Sequence, residues 1–178
     1  MMKFALYDYI PRRYQQRATF EQQDICRMIL GFKDGRNVYS RWAAHQLAAA
    51  LRAVDMSDVT IVCIPASTRC ANVRRWKRFS QVLCRLTGAQ NGFDRVQVFG
   101  SRKPAHVTGE YELATNIKHY VHIDDEFFRG RKVMVIDDIY TTGQSSGAFI
   151  GAMQAVGATV VMAGFLAKTR QPHGRSTN

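Results

Sequence analysis

Two adjacent aspartates and the hydroxyl residues that follow them form the part of the chain best suited to chemistry. Asp137 and Asp138 come directly after the apolar residues 133–136, and the sequence then reads Ile-Tyr-Thr-Thr-Gly-Gln-Ser, ending at Ser145. A short apolar run of this kind predicts a buried parallel strand, here over 132–137. The loop 139–143 leads into small residues that predict a helix over 144–156. The pattern is therefore a strand, an acid pair, a loop and a helix.

This order of elements predicts an anion site beside a site for hydroxyl groups. At the carboxyl end of a parallel strand, backbone N–H groups and the start of the next helix attract a phosphate. Thr141, Thr142 and Ser145 add hydroxyl donors, and Gly143 lets the chain approach a phosphate closely. The aspartates would repel a phosphate, so they are expected to face hydroxyl groups or a metal ion. A ligand with a phosphate at one end and vicinal hydroxyls nearby is a ribose 5-phosphate. The alternative is an ordinary strand with a capped turn.

The run resembles the signature of the type I phosphoribosyltransferases, which bind 5-phosphoribosyl-1-pyrophosphate (PRPP). That signature has four apolar residues, two acids, two apolar residues, Thr-Thr-Gly, one variable residue, and Ser or Thr. Tyr140 departs from it, being aromatic where an aliphatic residue is usual. The resemblance implies that Asp137 and Asp138 bind the ribose hydroxyls. It also implies that the next loop binds the 5′-phosphate through Thr141, Thr142, Gly143, Gln144 and Ser145.

The resemblance further implies a pyrophosphate loop after the first core strand, which the sequence predicts over 59–64. The loop 65–69 would bind pyrophosphate through Ala66, Ser67, Thr68 and Arg69. Hydroxyl groups and an arginine ahead of a helix suit a diphosphate. The alternative is a routine turn in which Ser67 caps the helix.

Members of the family close a flexible loop over the site, and the segment 101–111 is placed for that role. In this loop Arg102 and Lys103 are catalytic candidates, with His106 beside them. The acid pair, Asp137 and Asp138, completes the set of catalytic candidates. The alternative is that the loop residues simply face solvent. The implied reaction transfers 5-phosphoribosyl from PRPP to a nitrogen nucleophile, either a nucleobase or an amine, and releases pyrophosphate. The implied cofactor is Mg²⁺, held through PRPP with no direct protein ligand.

Two other segments resemble the ComF-like branch, phosphoribosyltransferase-related proteins associated with DNA uptake. Phe-Lys-Asp-Gly at 32–35 is similar to that branch's Lys-aromatic-x-Gly segment, and Lys-Arg-Phe-Ser-Gln at 77–81 is similar to its Arg-Gly-Phe-Asn-Gln. Thr141 stands where hypoxanthine-guanine enzymes usually have an aspartate, which disfavours that activity. The alternative function is therefore a PRPP-binding, nucleic-acid-associated regulator or ComF-like DNA-uptake factor without turnover.

The chain is strongly basic, with a net charge of +11 over 178 residues. Between 69 and 85 it has six basic residues and no acid: Arg69, Arg74, Arg75, Lys77, Arg78 and Arg85. This charge suits an anionic substrate, or a nucleic acid bound by the predicted helix 71–86, whereas the alternative is a solvated helix face. Trp76 and Phe79 fall on the apolar stripe of that helix, which favours burial over stacking on bases.

Alternating strands and helices predict an α/β protein with a central, mainly parallel sheet flanked by helices. Further helices are predicted over 19–30 and 39–54, and further strands over 96–99 and 159–166. The resemblance implies a Rossmann-like type I phosphoribosyltransferase fold with a small hood, for which the aromatic N-terminal arm and the residues around 165–169 are available. We expect one domain over 1–170, with the arm and first helices in 1–55 and the core sheet in 56–167, and a polar tail over 171–178.

The cellular setting is expected to be the cytoplasm. No run is apolar enough to span a membrane, and the N-terminal residues lack the apolar segment of a secretory signal. The four cysteines are scattered without C-x-x-C spacing, which argues against a zinc site and a disulfide framework. Because family members are often dimers, a homodimer is a possible assembly.

Overall fold

The computed structural model describes residues 1–99 and 120–170. The strands in these residues are β1 (Met2–Tyr9), β2 (Val59–Cys63), β3 (Gln90–Asn91), β4 (Val96–Val98), β5 (Val121–Ile123), β6 (Lys132–Tyr140) and β7 (Thr159–Thr169). The α-helices are α1 (Phe20–Lys33), α2 (Asn37–Leu51), α3 (Arg69–Asn72), α4 (Arg78–Thr87), α5 (Asp125–Phe128) and α6 (Gln144–Ala155). A π-helical segment (Val73–Lys77) joins α3 to α4. None of these described helices is both long and apolar enough to cross a lipid bilayer.

Five strands form one parallel sheet in the order β1-β7-β6-β2-β3. Every neighbouring pair is parallel, so all five carboxyl ends lie at one edge. The strand β2 is buried along its whole length and β6 along most of it, as expected for parallel strands covered on both faces. The predicted fold class, an α/β protein with a mainly parallel sheet flanked by helices, is confirmed.

Helices cover both faces of the sheet. On one face, Leu47 of α2 and Phe79 of α4 belong to the same core cluster as Met134 of β6. On the other face, Phe149 of α6 belongs to a second cluster with Val135, the next residue of β6. Successive side chains of a strand point to opposite faces, so the apolar run of β6 anchors both clusters at once.

The helix predicted over 71–86 runs from α3 through the π segment to the end of α4. Trp76 and Phe79 are fully buried and pack edge-to-face with Phe32 of α1 and with each other, at centroid distances of 5.2 to 5.5 Å. Neither ring can therefore stack on a nucleic-acid base. The interpretation of these residues as part of an apolar stripe is confirmed.

The N-terminal residues form an edge strand beside the last strand of the chain. The strand β1 pairs with β7 from Met2 to Tyr9, so the sheet includes a strand from the segment assigned to the arm. Tyr7 anchors β1 to α2, because its ring stacks on Trp42 at 5.6 Å and its hydroxyl donates to Gln46 Oε1 at 2.8 Å. The first and last strands of the described chain consequently lie side by side and run in the same direction.

Three strand predictions, those over 96–99, 132–137 and 159–166, differ from the structure. The residues predicted as a strand over 96–99 form β4, which pairs antiparallel with β5 outside the main sheet. Val96 and Val98 are buried and Gln97 is exposed, the alternation of a strand that is covered on one side. In the main sheet, β6 continues to Tyr140 because β7 runs beside it as far as Lys168.

Candidate functional site

A cleft of about 570 Å³ opens at the carboxyl edge of the sheet, beside β2 and β6. The chain proceeds from β2 to β3 on one side, whereas β6 lies on the other side of β2. Ligands of open α/β sheets usually bind at such a reversal of strand order. The cleft brings together nine of the predicted site residues: Ala66, Ser67, Asp137, Asp138, Thr141, Thr142, Gly143, Gln144 and Ser145.

The acid pair lies within β6, ahead of the loop. The Asp138 N–H donates to Asp137 Oδ1 at 2.9 Å, and the Ile139 N–H donates to Asp138 Oδ1 at 2.8 Å. Asp138 is only 5% exposed, whereas Asp137 is partly exposed at the cleft. The sheet therefore fixes the backbone of both carboxylates, and Asp137 has the better access to a ligand.

The two acids share an unusual electrostatic environment. Burial, followed by the neighbouring Asp138 carboxylate, raises the pKa of Asp137 to about 8, although Arg75 and Lys33 act in the opposite direction. Arg75 Nη1 lies 3.0 Å from Asp138 Oδ2, an ion pair without the alignment of a hydrogen bond. Two carboxylates this close cannot both ionise readily. Burial and the neighbouring carboxylate therefore favour the protonated form of Asp137 at neutral pH.

The loop after β6 is shaped to receive an anion. Gly143 has φ +81°, and a Cβ at this position would lie 2.6 Å from the Tyr140 hydroxyl, so only glycine fits. It is the N-cap of α6, whose first N–H groups have no partner within the helix. That of Gln144 lies 3.5 Å from the Thr142 hydroxyl, and N–H groups at this position attract anions. The Thr141 hydroxyl lies 2.9 Å from that of Thr169, which ties the loop to the end of β7.

The loop after β2 contributes only its first half to the cleft. The N–H of Ala66 donates to the buried Asn72 Oδ1 at 3.0 Å, which fastens the loop next to Ser67. Thr68 instead caps α3, its hydroxyl accepting a backbone N–H from the first turn at 3.2 Å. Arg69 is exposed and does not line the cleft. The capping role considered for Ser67 therefore belongs to Thr68.

The predicted lid 101–111, with Arg102, Lys103 and His106, lies outside the described residues, as does the tail 171–178. Within residues 1–99 and 120–170, no group of three or more His, Cys, Asp or Glu side chains is placed to bind a metal ion. The donors that the cleft offers are carboxylate and hydroxyl oxygens, the type of ligand that Mg²⁺ prefers.

Lys33 and Arg75, the two cations among the described residues that line the cleft, were not predicted as site residues, and neither was Asn72, which lies behind it. The sequence shows Arg75 only as one of six basic residues and Asn72 as a polar residue near the start of a helix. The sequence does contain a pattern that indicates where Asn72 and Arg75 lie, because Asn72, Arg75 and Phe79 are spaced by three and four residues. Residues so spaced share one helix face, and that face here points inward.

A second cavity, of about 650 Å³, shares Tyr140 and Phe165 with the cleft. The N-terminal arm and the end of β7, the segments expected to form a hood, line it through residues such as Phe4 and Lys168. The rings of Tyr140 and Phe165 pack edge-to-face at 4.8 Å. Tyr140 is thus a packing residue at the boundary between the two spaces.

Comparison with known proteins adds little to this geometry. No protein-family model matches the chain, and no curated protein matches its sequence. Among solved structures, a purine phosphoribosyltransferase from Pyrococcus horikoshii Ot3 is similar over 76% of this chain and 89% of its own, with 16% identity and a TM-score of 0.34. With so low a TM-score this similarity carries no functional argument.

Proposed function

We propose that the protein is a phosphoribosyltransferase that transfers 5-phosphoribosyl from PRPP to a nitrogen nucleophile and releases pyrophosphate. The observation that carries the proposal is the shared cleft, in which the acid pair, the loop 141–145 and the start of the loop after β2 line one space. These three groups correspond to three parts of PRPP: the ribose hydroxyls, the 5′-phosphate and the pyrophosphate.

The acid pair and the loop after β6 would hold the ribose 5-phosphate. Carboxylate oxygens accept hydrogen bonds from vicinal hydroxyls, and the rigid backbone of β6 presents Asp137 and Asp138 to the same space. The first turn of α6 and the hydroxyls of Thr142 and Ser145 then face the 5′-phosphate, whose negative charge suits a helix N-terminus.

Transfer needs little covalent chemistry from the protein. The bond between C1′ and the pyrophosphate oxygen breaks, the ribosyl centre gains positive charge, and the lone pair of the acceptor nitrogen forms the new bond to C1′. The proton of that nitrogen then leaves to the departing pyrophosphate or to solvent. The chain must therefore neutralise the departing pyrophosphate and align the acceptor. The Lys33 side chain and the backbone at Ser67, which line the cleft, would serve the first task, since the Ala66 N–H is already donated to Asn72. Bound through the oxygens of PRPP, Mg²⁺ would add positive charge to the leaving group.

The acceptor would reach the ribosyl centre from the second cavity, because that cavity and the cleft share the Tyr140 and Phe165 walls. Its aromatic residues suit a planar base, and the exposed Lys168 ammonium suits a carbonyl or an acidic group on it. These features favour a nucleobase over a small aliphatic amine.

Isothermal titration of PRPP with Mg²⁺ into the wild type and into the double variant Asp137→Asn, Asp138→Asn tests the proposal. At pH 9, where Asp137 is ionised, each lost hydrogen bond to a charged group is worth about 1.5–3 kcal/mol, so the double variant should bind PRPP at least about tenfold more weakly. Asp94→Asn, the same change at an exposed aspartate, should bind as the wild type does. Pyrophosphate release with a panel of bases then identifies the acceptor. Equal affinity in the double variant, with its circular dichroism unchanged, would refute the assignment.

A second candidate function is a nucleic-acid-associated regulator, or ComF-like DNA-uptake factor, that binds PRPP without turnover. Arg69, Arg74, Lys77, Arg78 and Arg85 are exposed and form no ion pair with any described acid. Such a surface would bind phosphates with a steep salt dependence, each phosphate contact adding about 0.9 to the slope of log affinity against log salt. Fluorescence anisotropy of labelled DNA and RNA across a salt series, with and without PRPP, tests it; a flat salt response refutes it.

A further inference from the structure

Arg75 differs from the other basic residues of its helix. The five others in the run from 69 to 85 are exposed, whereas Arg75 lines the cleft and only 16% of its side chain is exposed. It belongs to the π-helical segment Val73–Lys77. Such single-turn π segments widen a helix locally and frequently occur at functional sites. The position and the burial of Arg75 therefore set it apart from a solvated helix face.

Three contacts fix the guanidinium of Arg75. Its Nη1 lies 3.0 Å from Asp138 Oδ2, and its Nε donates to the Lys33 carbonyl at 3.3 Å. Its central carbon lies 6.0 Å from the ring centroid of the buried Trp76. Lys33 is the last residue of α1, and carbonyl groups at a helix C-terminus carry partial negative charge. Arg75 is thus held between a carboxylate, a helix end and an aromatic face.

The turn between α1 and α2 is packed directly against the helix that carries Arg75. A Cβ at Gly35 would lie 2.7 Å from the Arg74 carbonyl oxygen, so the two backbones are in close contact at this point. This contact holds the end of α1 beside the π segment. The environment of Arg75 is consequently built by the fold and does not depend on a flexible surface side chain.

We propose that Arg75 is a positioning residue that fixes Asp138 and leaves Asp137 as the acid that contacts the hydroxyl groups of the ligand. Asp138 Oδ1 accepts the Ile139 N–H and Asp138 Oδ2 faces Arg75, so both of its oxygens are engaged. Asp137 uses Oδ1 for the Asp138 N–H, and its other oxygen has no hydrogen-bond partner among the described residues. The two aspartates therefore have different roles. This inference rests on the proposed function and names the division of labour within that site.

The remaining ionisable groups near the pair do not replace Arg75. Burial raises the pKa of the Cys63 thiol on β2 well above its ordinary value, and burial also raises the pKa of Tyr9 on β1. Both groups are thus neutral at physiological pH. The Lys33 side chain on α1 is exposed and acts on Asp137 more weakly than Arg75 does. Among the described residues Arg75 is therefore the main cation acting on Asp137, and removing its charge should make Asp137 harder to ionise.

Carbon-13 NMR of protein labelled at the aspartate carboxyl carbons tests this role without any ligand. The Asp137 signal, assigned from Asp137→Asn, would be titrated in the wild type, Arg75→Gln, Arg75→Lys and the control Arg41→Gln, which removes a charge from an exposed position of α2. Arg75→Gln should raise the Asp137 midpoint by about one pH unit, Arg75→Lys should recover most of the shift, and Arg41→Gln should leave it unchanged. Arg75→Met, which keeps an apolar stem against Trp76, replaces Arg75→Gln if that variant does not fold. An unmoved Asp137 midpoint overturns the inference.

Titration of PRPP with Mg²⁺ at pH 7 and pH 9 supplies the second readout. If Arg75→Gln raises the titration midpoint of Asp137 by one pH unit, its affinity for PRPP should fall about tenfold at pH 7 and largely recover at pH 9. A residue that only maintains the fold would weaken binding equally at both pH values, and that result overturns the inference. Failure of the wild type to bind PRPP, by contrast, refutes the proposed function. In that case the NMR titration by itself decides whether Arg75 controls the ionisation of Asp137.

Discussion

Replacing Asp137 with asparagine should stabilise the protein at neutral and alkaline pH but not in mild acid. The substitution keeps the shape of the side chain and an oxygen that can accept the Asp138 N–H, and it removes the titrating group. Burial and the Asp138 carboxylate raise the pKa of Asp137 from 3.8 to about 8. Between these values the folded chain keeps a proton that the unfolded chain releases.

The sign and size of the effect follow from this difference in bound protons. Because the native state binds more protons than the unfolded state in this window, the stability of the wild type falls as the pH rises from about 4 to 8. Each pH unit costs at most about 1.4 kcal/mol, so the three units from pH 5 to pH 8 set an upper limit of about 4 kcal/mol. Asp137 is partly exposed and its charge is partly screened by water. We therefore expect Asp137→Asn to gain about 1–3 kcal/mol over the wild type between pH 5 and pH 8.

Urea unfolding at pH 5, 6, 7 and 8, followed by circular dichroism, measures this change. The free-energy difference between variant and wild type should grow with pH and level off above pH 8. Asp94→Asn, at an exposed site, controls for the general effect of removing one negative charge. A difference between Asp137→Asn and the wild type that is constant from pH 5 to pH 8 would show that Asp137 does not hold a proton in the folded state.

Two further substitutions probe the loops of the cleft. Gly143→Ala should cost about 1–3 kcal/mol of stability and weaken PRPP binding, because the residue has φ +81° and its Cβ would collide with the Tyr140 hydroxyl. Gly147→Ala is the control, because a Cβ there meets nothing within 4 Å, and it should be neutral or stabilising. Equal effects of the two changes on urea midpoints would contradict the loop geometry. Asn72→Ala should cost about 1–3 kcal/mol of stability by leaving the Ala66 N–H unpaired, and it should weaken pyrophosphate binding. Asn72→Asp keeps an oxygen that can accept this N–H and serves as the control. If calorimetric titration of pyrophosphate shows both variants unchanged, the loop plays no part in binding.

The elements around the site were largely predictable because their signals are local. The apolar run before Asp137 places side chains on both faces of one strand, and both faces are indeed buried. The helix predicted from residue 19 does begin there, because the Thr19 hydroxyl accepts the Gln22 N–H in a capping box. The apolar stripe that contains Trp76 and Phe79 is buried as its periodicity predicts. In each case the decisive residues lie within a few positions of one another.

Strand ends and strand partners were less predictable, because pairing depends on distant residues. The strand β6 passes through the acid pair to Tyr140 only because β7 runs beside it to Lys168. The residues 96–99 look like any short apolar strand, yet Val96 pairs with Ile123 in a separate antiparallel ribbon. Hydrophobic alternation states which face of a strand is covered but not which strand lies next to it.

By itself, the sequence determined the strand, the acid pair, the Thr-Thr-Gly loop and the helix, because a strand, a turn and a helix N-terminus are set by neighbouring residues. Only the tertiary structure decided which of six similar cations meets the acids. The apolar stripe around Trp76 fixes the rotation of its helix against the sheet, and Gly35 allows the end of α1 to approach it. Arg75 is turned towards Asp138 as a result. Charge alone could not show this, since the direction of a side chain depends on how the whole helix packs.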